Sequence, residues 1–204
     1  TKNWFTTFVE LNISNLAGVP SIVYGLMASS LIVYQLSMDE NIATGGITLA
    51  LLVLPVIIVA TREALRTVPR SIREASFAMG ATRWQVIYKH LLPYSAGGIA
   101  TGVLIAVSRA LGETAPLVVV GVVGFIREVP SRPYGPHFPF INFDWLDDRY
   151  TVLPIQMYNW VEDANPIFRG EKAAAAGLVL ICLTLAMNAA AMYIRYRVRK
   201  NIHW

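Results

Sequence analysis

The chain has 204 residues, 55% of them hydrophobic and 15% charged, with a mean hydropathy of +0.49 and a net charge of +4. Soluble proteins carry about 25% charged residues, so the composition excludes a disordered, collagen-like or ordinary soluble chain and points to a membrane. The single cysteine, Cys182, excludes an internal disulfide framework.

In chain order, residues 1–15 carry Trp4, Phe5, Phe8 and Leu11 at helical spacing. They read as a short amphipathic helix on a membrane surface or as the lead-in to a membrane helix. Uncharged apolar runs follow at residues 16–36, 42–61, 91–108 and 173–194, each of 18 to 22 residues. At about 1.5 Å per residue such runs cross a hydrocarbon core of about 30 Å. A shorter apolar run, residues 114–126, cannot span alone. It reads as a re-entrant or kinked continuation of the third crossing, which extends over 91–112.

Between the second and third crossings, residues 62–90 hold six Lys or Arg against Glu63 and Glu74. Within this segment Ile72, Ala75, Ser76 and Met79 recur at helical spacing, as do Trp84, Ile87, Tyr88 and Leu91. Two amphipathic helices are expected. Gly80 would close the first in a left-handed conformation, Thr82 would cap the second, and Pro93 would reset the chain at the membrane. One face apolar and one basic suits docking on a partner; packing on the protein's own membrane domain is the alternative. A DNA-binding helix-turn-helix has similar parts, but both ends here run into membrane spans and base-reading side chains are few.

The connection over residues 127–171 has nine aromatics and six prolines, too apolar for a flexible linker and too broken for a span. Residues 151–161 read as a short helix with Pro154 in its first turn and Tyr158 and Trp160 at the interface. The connection suits a platform for a delivering protein, a lid, or a self-packed cap. Ten of the seventeen basic residues lie in 62–90 and in the tail at Arg195, Arg197, Arg199 and Lys200, which places both segments, and both chain ends, in the cytoplasm. The acidic turn at residues 37–41 and the 127–171 connection then lie outside. This distribution removes the case for nucleic acid as a partner.

No Gly-x-x-x-x-Gly-Lys-Ser/Thr segment occurs, so no P-loop for ATP is expected. His90, His137 and His203 are isolated, so no metal site is expected. No nucleophile and base stand at recognisable spacing, and the chain is not read as an enzyme.

Glu74-Ala75-Ser76, Gly80 and Leu92-Pro93 resemble the EAA loop of ABC-importer permeases, with Ser76 in place of the second Ala and His90 in place of Ile. Gly18-Val-Pro-Ser-Ile-Val-Tyr-Gly25, Leu54-Pro-Val-Ile-Ile58, Val68-Pro-Arg-Ser-Ile-Arg-Glu-Ala75 and Ser108-Arg-Ala-Leu-Gly-Glu-Thr-Ala-Pro-Leu117 resemble PstA-type permeases of bacterial phosphate ABC importers. The resemblance implies an all-α membrane protein, a MetI-like permease bundle in one transmembrane domain. Six helices are usual in the family, so the first two are expected to be missing from this chain. It implies a coupling segment over residues 70–91, with Glu74, Ala75, Gly80 and Arg83 toward the ATPase. It also implies a second, homologous permease, two ATP-binding subunits that carry ATP and Mg, an external phosphate-binding protein, and a bacterial inner-membrane location. No cofactor is expected on this chain.

Arg109 and Glu113 lie about 24 Å and about 30 Å along a helix starting at Pro93. Spaced four apart, they would share a helix face and could pair. Ionisable groups at membrane depth usually face a pathway; the alternative is a snorkelling Arg and an interfacial Glu at an ordinary helix end. A guanidinium offers a planar fork of donors to an oxyanion, whereas a carboxylate repels it. Arg109 is therefore expected to meet the anion and Glu113 to hold Arg109 when the pathway is empty. Thr114 adds a hydroxyl, and Gly112 and Pro116 permit a helix break. Family resemblance implicates the Arg109 and Glu113 positions in phosphate translocation. Some relatives carry a further Arg where this chain has Val59; Arg62 could substitute, but equally reads as a cytoplasmic anchor, and a partner permease is another source.

Overall fold

The computed structural model describes residues 3–122, 126, 130–134 and 142–200, with side chains as far as Arg197. Expectations resting on residues 127–129 and 135–141, on His137, on His203 and on the Lys200 side chain lie outside the described residues. No strand occurs among the described residues; the elements are helices. In order they are α1 (Trp4–Ala17), α2 (Ser21–Ala28), α3 (Ile42–Arg66), α4 (Arg70–Ala78), α5 (Arg83–Val86), α6 (Leu92–Gly112), α7 (Ala115–Val120), α8 (Leu153–Val161) and α9 (Ala173–Lys200). Three π-helical turns, Ser29–Gln35, Ile87–Leu91 and Ile167–Lys172, extend α2, join α5 to α6, and lead into α9.

Three described helices are long and apolar enough to cross a membrane: Ile42–Arg66, Arg83–Gly112 and Ile167–Arg197. The first expected span, residues 16–36, is corrected. Helix α1 stops at Ala17 and α2 starts only at Ser21, because Pro20 is extended (ψ 137°) and offers no amide to continue the α1 ladder. The stretch Ser21–Gln35 alone reaches about 22 Å at 1.5 Å per residue; only when α1 and Ser21–Gln35 are taken together do the candidate spans number four. The boundary expected at Pro93 is also corrected. Proline would remove an α-helical bond and clash with the preceding turn, but here the Leu92 amide donates to the Ile87 carbonyl, five residues back. The π turn absorbs the proline, and α5 and α6 form one helix of 30 residues. Helix α3 runs past its apolar run to Arg66, and Pro55 sits inside it without ending it.

The described residues divide into two compact units, one within residues 1–18, 53–109 and 184–204, the other within 19–52 and 110–183. In the first, α3 and α6 approach on small residues: a Cβ on Gly98 would lie 2.8 Å from Ala64 Cβ, and one on Gly102 would lie 2.5 Å from Ala60 Cβ. Close backbone approach of this kind replaces large side chains in membrane helix packing. The buried hydroxyls of Ser95 and Thr101 bond back to their own helix, at the Leu91 and Gly97 carbonyls, both at 2.7 Å, so neither is stranded. Glu10 of α1 accepts from Arg62 and lies 3.8 Å from Arg66, which also pairs with Glu63 at 3.1 Å. These acids let α3 continue through its charged end. Arg62 is thus an anchor at the α3 terminus, held by Glu10.

In the second unit, α2 and α7 pack most closely at Gly25, where an added Cβ would sit 2.6 Å from Pro116 Cα. Ala28, Ile32 and Val120 form the adjoining core, with Val33, Met38 and Leu51 around it. The described part of the connection between α7 and α8 is tied to the start of α3. Asn41 caps that helix by accepting from the Thr44 amide (3.0 Å), and it donates to Asp147 (3.2 Å); the Ile42 amide donates to the Asp148 carbonyl (3.0 Å). The Ser131 hydroxyl and amide both donate to the Asp148 carboxylate, which holds its pKa below the ordinary value. Tyr150 packs against Gly45, and burial, helped by the Glu40 charge, raises its pKa to about 12. Its hydroxyl is buried without a hydrogen-bond partner among the described residues. Helix α8 has Pro154 in its first turn, as the sequence predicts.

Two outcomes follow for this unit. Gly25→Ala forces α2 away from the Pro116 backbone and lowers stability by about 1–3 kcal/mol, read as a lower thermal midpoint in detergent. Tyr150→Phe removes a stranded hydroxyl and raises that midpoint by about 2–4 °C. The native phenol binds its proton more tightly than the unfolded one, so its contribution holds below pH 10 and is lost as pH rises toward 12. The Phe variant lacks that alkaline loss.

Candidate coupling surface and pathway residues

Local chemistry fixes the segment between α3 and α6. Pro69 (ψ 142°) cannot be helical and starts α4 at Arg70. At the other end the Ala81 amide donates to the Ser76 carbonyl (3.1 Å) and the Gly80 amide to that of Phe77 (2.9 Å), with Gly80 at φ +80°. This is the paired closure of a Schellman motif, and a side chain at Gly80 would be strained. Thr82 then opens α5 in a capping box: its hydroxyl accepts from the Gln85 amide, and Gln85 Oε1 accepts from the Thr82 amide at 2.8 Å. Both turn assignments agree with the sequence reading.

The apolar stripes of α4 and α5 are largely exposed. Val86, at 3% exposure, fills the interior position of α5, and Ser76 is the buried residue of α4, its hydroxyl donating to the Ile72 carbonyl. Met79 (88%), Trp84 (80%) and Tyr88 (76%) stay open, together with Phe77. Ala64, Val68 and Val86 are the buried apolar residues of this segment. In this unit the apolar stripe lies on the surface. Glu74, Ala75, Gly80 and Arg83 are all exposed on the same α4–turn–α5 segment.

Two contacts had no legible signal in the sequence. Arg73 Nη2 donates to the Leu65 carbonyl in the last turn of α3 (3.1 Å). Glu10, the only acid in residues 1–15, reaches Arg62 across 52 positions. Neither partner stands at a local spacing; only the fold brings them together.

Arg109 lies in the last turn of α6, exposed, in the first unit; Glu113 and Thr114 lie between α6 and α7, half-buried, in the second. The expectation of one continuous helix face for Arg109 and Glu113 is corrected. Helix α6 ends at Gly112, the Glu113 amide turns back to the Ala110 carbonyl (3.2 Å), and the Thr114 carbonyl accepts from Leu117 and Val118 at the start of α7. The break falls between Gly112 and Pro116, where it is expected. The second unit holds a cavity of about 500 Å³ against Ile42, Leu49, Leu117, Tyr150 and Val152. No basic side chain lines it among the described residues, so it does not suit an oxyanion.

A family model described as binding-protein-dependent transport system inner membrane component matches residues 1–200. The chain is 36% identical to the phosphate transport system permease protein PstA of Mycobacterium leprae, over 90% of this chain and 54% of that protein. It is 39% identical to the PstA of Yersinia pestis, over 91% and 57%. It is 35% identical to the probable ABC transporter permease protein YqgH of Bacillus subtilis, over 96% and 60%. The chain thus spans little more than half the length of these curated relatives. No solved structure matches it.

Proposed function

Because the chain belongs to the family of binding-protein-dependent transport system inner membrane components, we propose that it is the permease subunit of an ATP-driven phosphate importer. In this reading it sits in a bacterial inner membrane beside a homologous permease. Two ATP-binding subunits dock on the cytoplasmic side, and an external phosphate-binding protein delivers the anion. The basic segment of α4 and α5 and the basic tail face the cytoplasm.

The observation that carries the reading is the exposed apolar surface on α4 and α5, with Met79, Trp84 and Tyr88 open beside Glu74 and Arg83. Aromatic and Met side chains in a compact polar rim are the composition of a docking site. Helix α5 continues without a break into α6, and α6 carries Arg109 near its far end. Movement of the docking surface is therefore delivered along one rod to the residue suited to an oxyanion. Phosphate is the anion in the names of the PstA relatives, and a planar guanidinium fork fits it. Lipid covers the outward faces of the spans; only 11% of the apolar window of Ile167–Arg197 is buried inside the chain.

Two other readings make different forecasts. A permease for another oxyanion would have its ATPase stimulated by that anion and not by phosphate. A passive channel or scaffold subunit would give no ATP-dependent accumulation. The test is phosphate uptake by vesicles holding the assembled importer. Wild type accumulates phosphate only with ATP, and Arg109→Gln assembles but loses uptake by about ten-fold or more, the cost of one charge-assisted contact. Wild-type uptake by a correctly assembled Arg109→Gln importer removes Arg109 from the pathway.

A further inference from the structure

We propose that Arg73 is a positioning residue that makes α4 and the end of α3 move as one body, so that displacement of the docking surface is delivered to α3 as well as to α6. The proposal rests on the reading of α4 and α5 as the surface that docks on an ATP-binding subunit. Its geometric basis is the bond from Arg73 Nη2 to the Leu65 carbonyl, 3.1 Å long and partly buried, between residues eight apart on two different helices. Carbonyls in the last turn of a helix have no amide partner within it, and that end carries partial negative charge. A guanidinium there satisfies a stranded acceptor and meets the dipole at the same time.

The remaining connections between the two helices are weaker. Residues 67–69 join them covalently; Thr67 bonds back to α3 through the Ala64 carbonyl, and the Ser76 hydroxyl bonds within α4. Val68, in the linker, is buried. Arg73 Nε is itself buried with no hydrogen-bond partner among the described residues, so the side chain cannot release Leu65 and find water without moving α4. Separating the helices breaks a charge-assisted bond to a helix-end carbonyl, which contributes more than an ordinary neutral hydrogen bond. The load does not stop at α3. Arg62, about one turn before Leu65, and Arg66, next to it, hold Glu10, so α1 is carried too.

The test uses the assembled importer in vesicles, with inorganic phosphate uptake and ATP hydrolysis measured in parallel. Arg73→Met keeps the stem and removes the donors; Arg73→Lys keeps a cationic donor. The Met variant is expected to hydrolyse ATP but to move about five-fold less phosphate per ATP, the size of a lost coupling term, and the Lys variant to recover most of the ratio. An unchanged ratio in the Met variant overturns the proposal. A second measurement needs no change at Arg73: spin labels on Ile58→Cys and Phe77→Cys, with Cys182→Ser, report the α3 to α4 distance. That distance stays constant through ATP binding if the two helices move as one, and a shift overturns the proposal even if Arg73→Met fails to assemble. Absence of ATP-dependent uptake by wild type rejects the importer reading itself, a result distinct from either of these.

Discussion

Pro93 has no amide hydrogen and its ring crowds the turn before it, so an α-helix arriving at this position should end or bend. The chain instead moves one hydrogen bond back by five residues, from Leu92 to Ile87, and continues. Everything proposed for α5 and α6 depends on that local exchange. It joins a segment whose aromatic side chains are exposed to a membrane helix that carries Arg109 in its last turn, within a single rod of 30 residues. A conventional break at Pro93 would have made the docking surface and the span two bodies, with movement of one absorbed at the joint.

The packing around this rod serves the same end. Gly98 and Gly102 let α6 lie against Ala64 and Ala60 of α3 at backbone distance. Hydroxyls that would be costly in hydrocarbon bond to carbonyls of their own helix, as Ser95 and Thr101 do. Charges gather at the end of α3, where Glu10, Arg62, Glu63 and Arg66 neutralise one another. Exposed ion pairs of this kind contribute little to stability. Their value is in fixing α1 to α3, and in letting a helix leave the membrane without fraying at its first charged residue.

Much of this was legible in the sequence, for physical reasons. Apolar runs near twenty residues mark spans, and the bases at residues 62–90 mark the segment between them. Gly80 and Thr82 are correct because helix ends have a local chemistry that a sequence carries in full. What failed is equally instructive. The run at residues 16–36 looked continuous because hydropathy does not register an extended Pro20, while Pro93 looked like a boundary because a π turn has no compositional signature. Periodicity shows that a stripe with Trp84 exists but not that Val86, outside it, is the residue α5 buries. Arg109 and Glu113 stand four apart in sequence, yet α6 ends between them. Arg73 and Glu10 were missed because their partners are distant in sequence and close only in the fold.

In the proposed importer, one unbroken helix links the exposed surface of α4 and α5 to Arg109. This link is tested most directly by a spin-label distance between Gln85→Cys and Ile105→Cys, in a Cys182→Ser background, within the assembled importer. Twenty residues of continuous helix separate the labels by about 30 Å. The account predicts one narrow distribution near that value, the same with and without ATP. A broad or two-peaked distribution, or a distance that changes when ATP binds, would show a joint at Pro93 and contradict it.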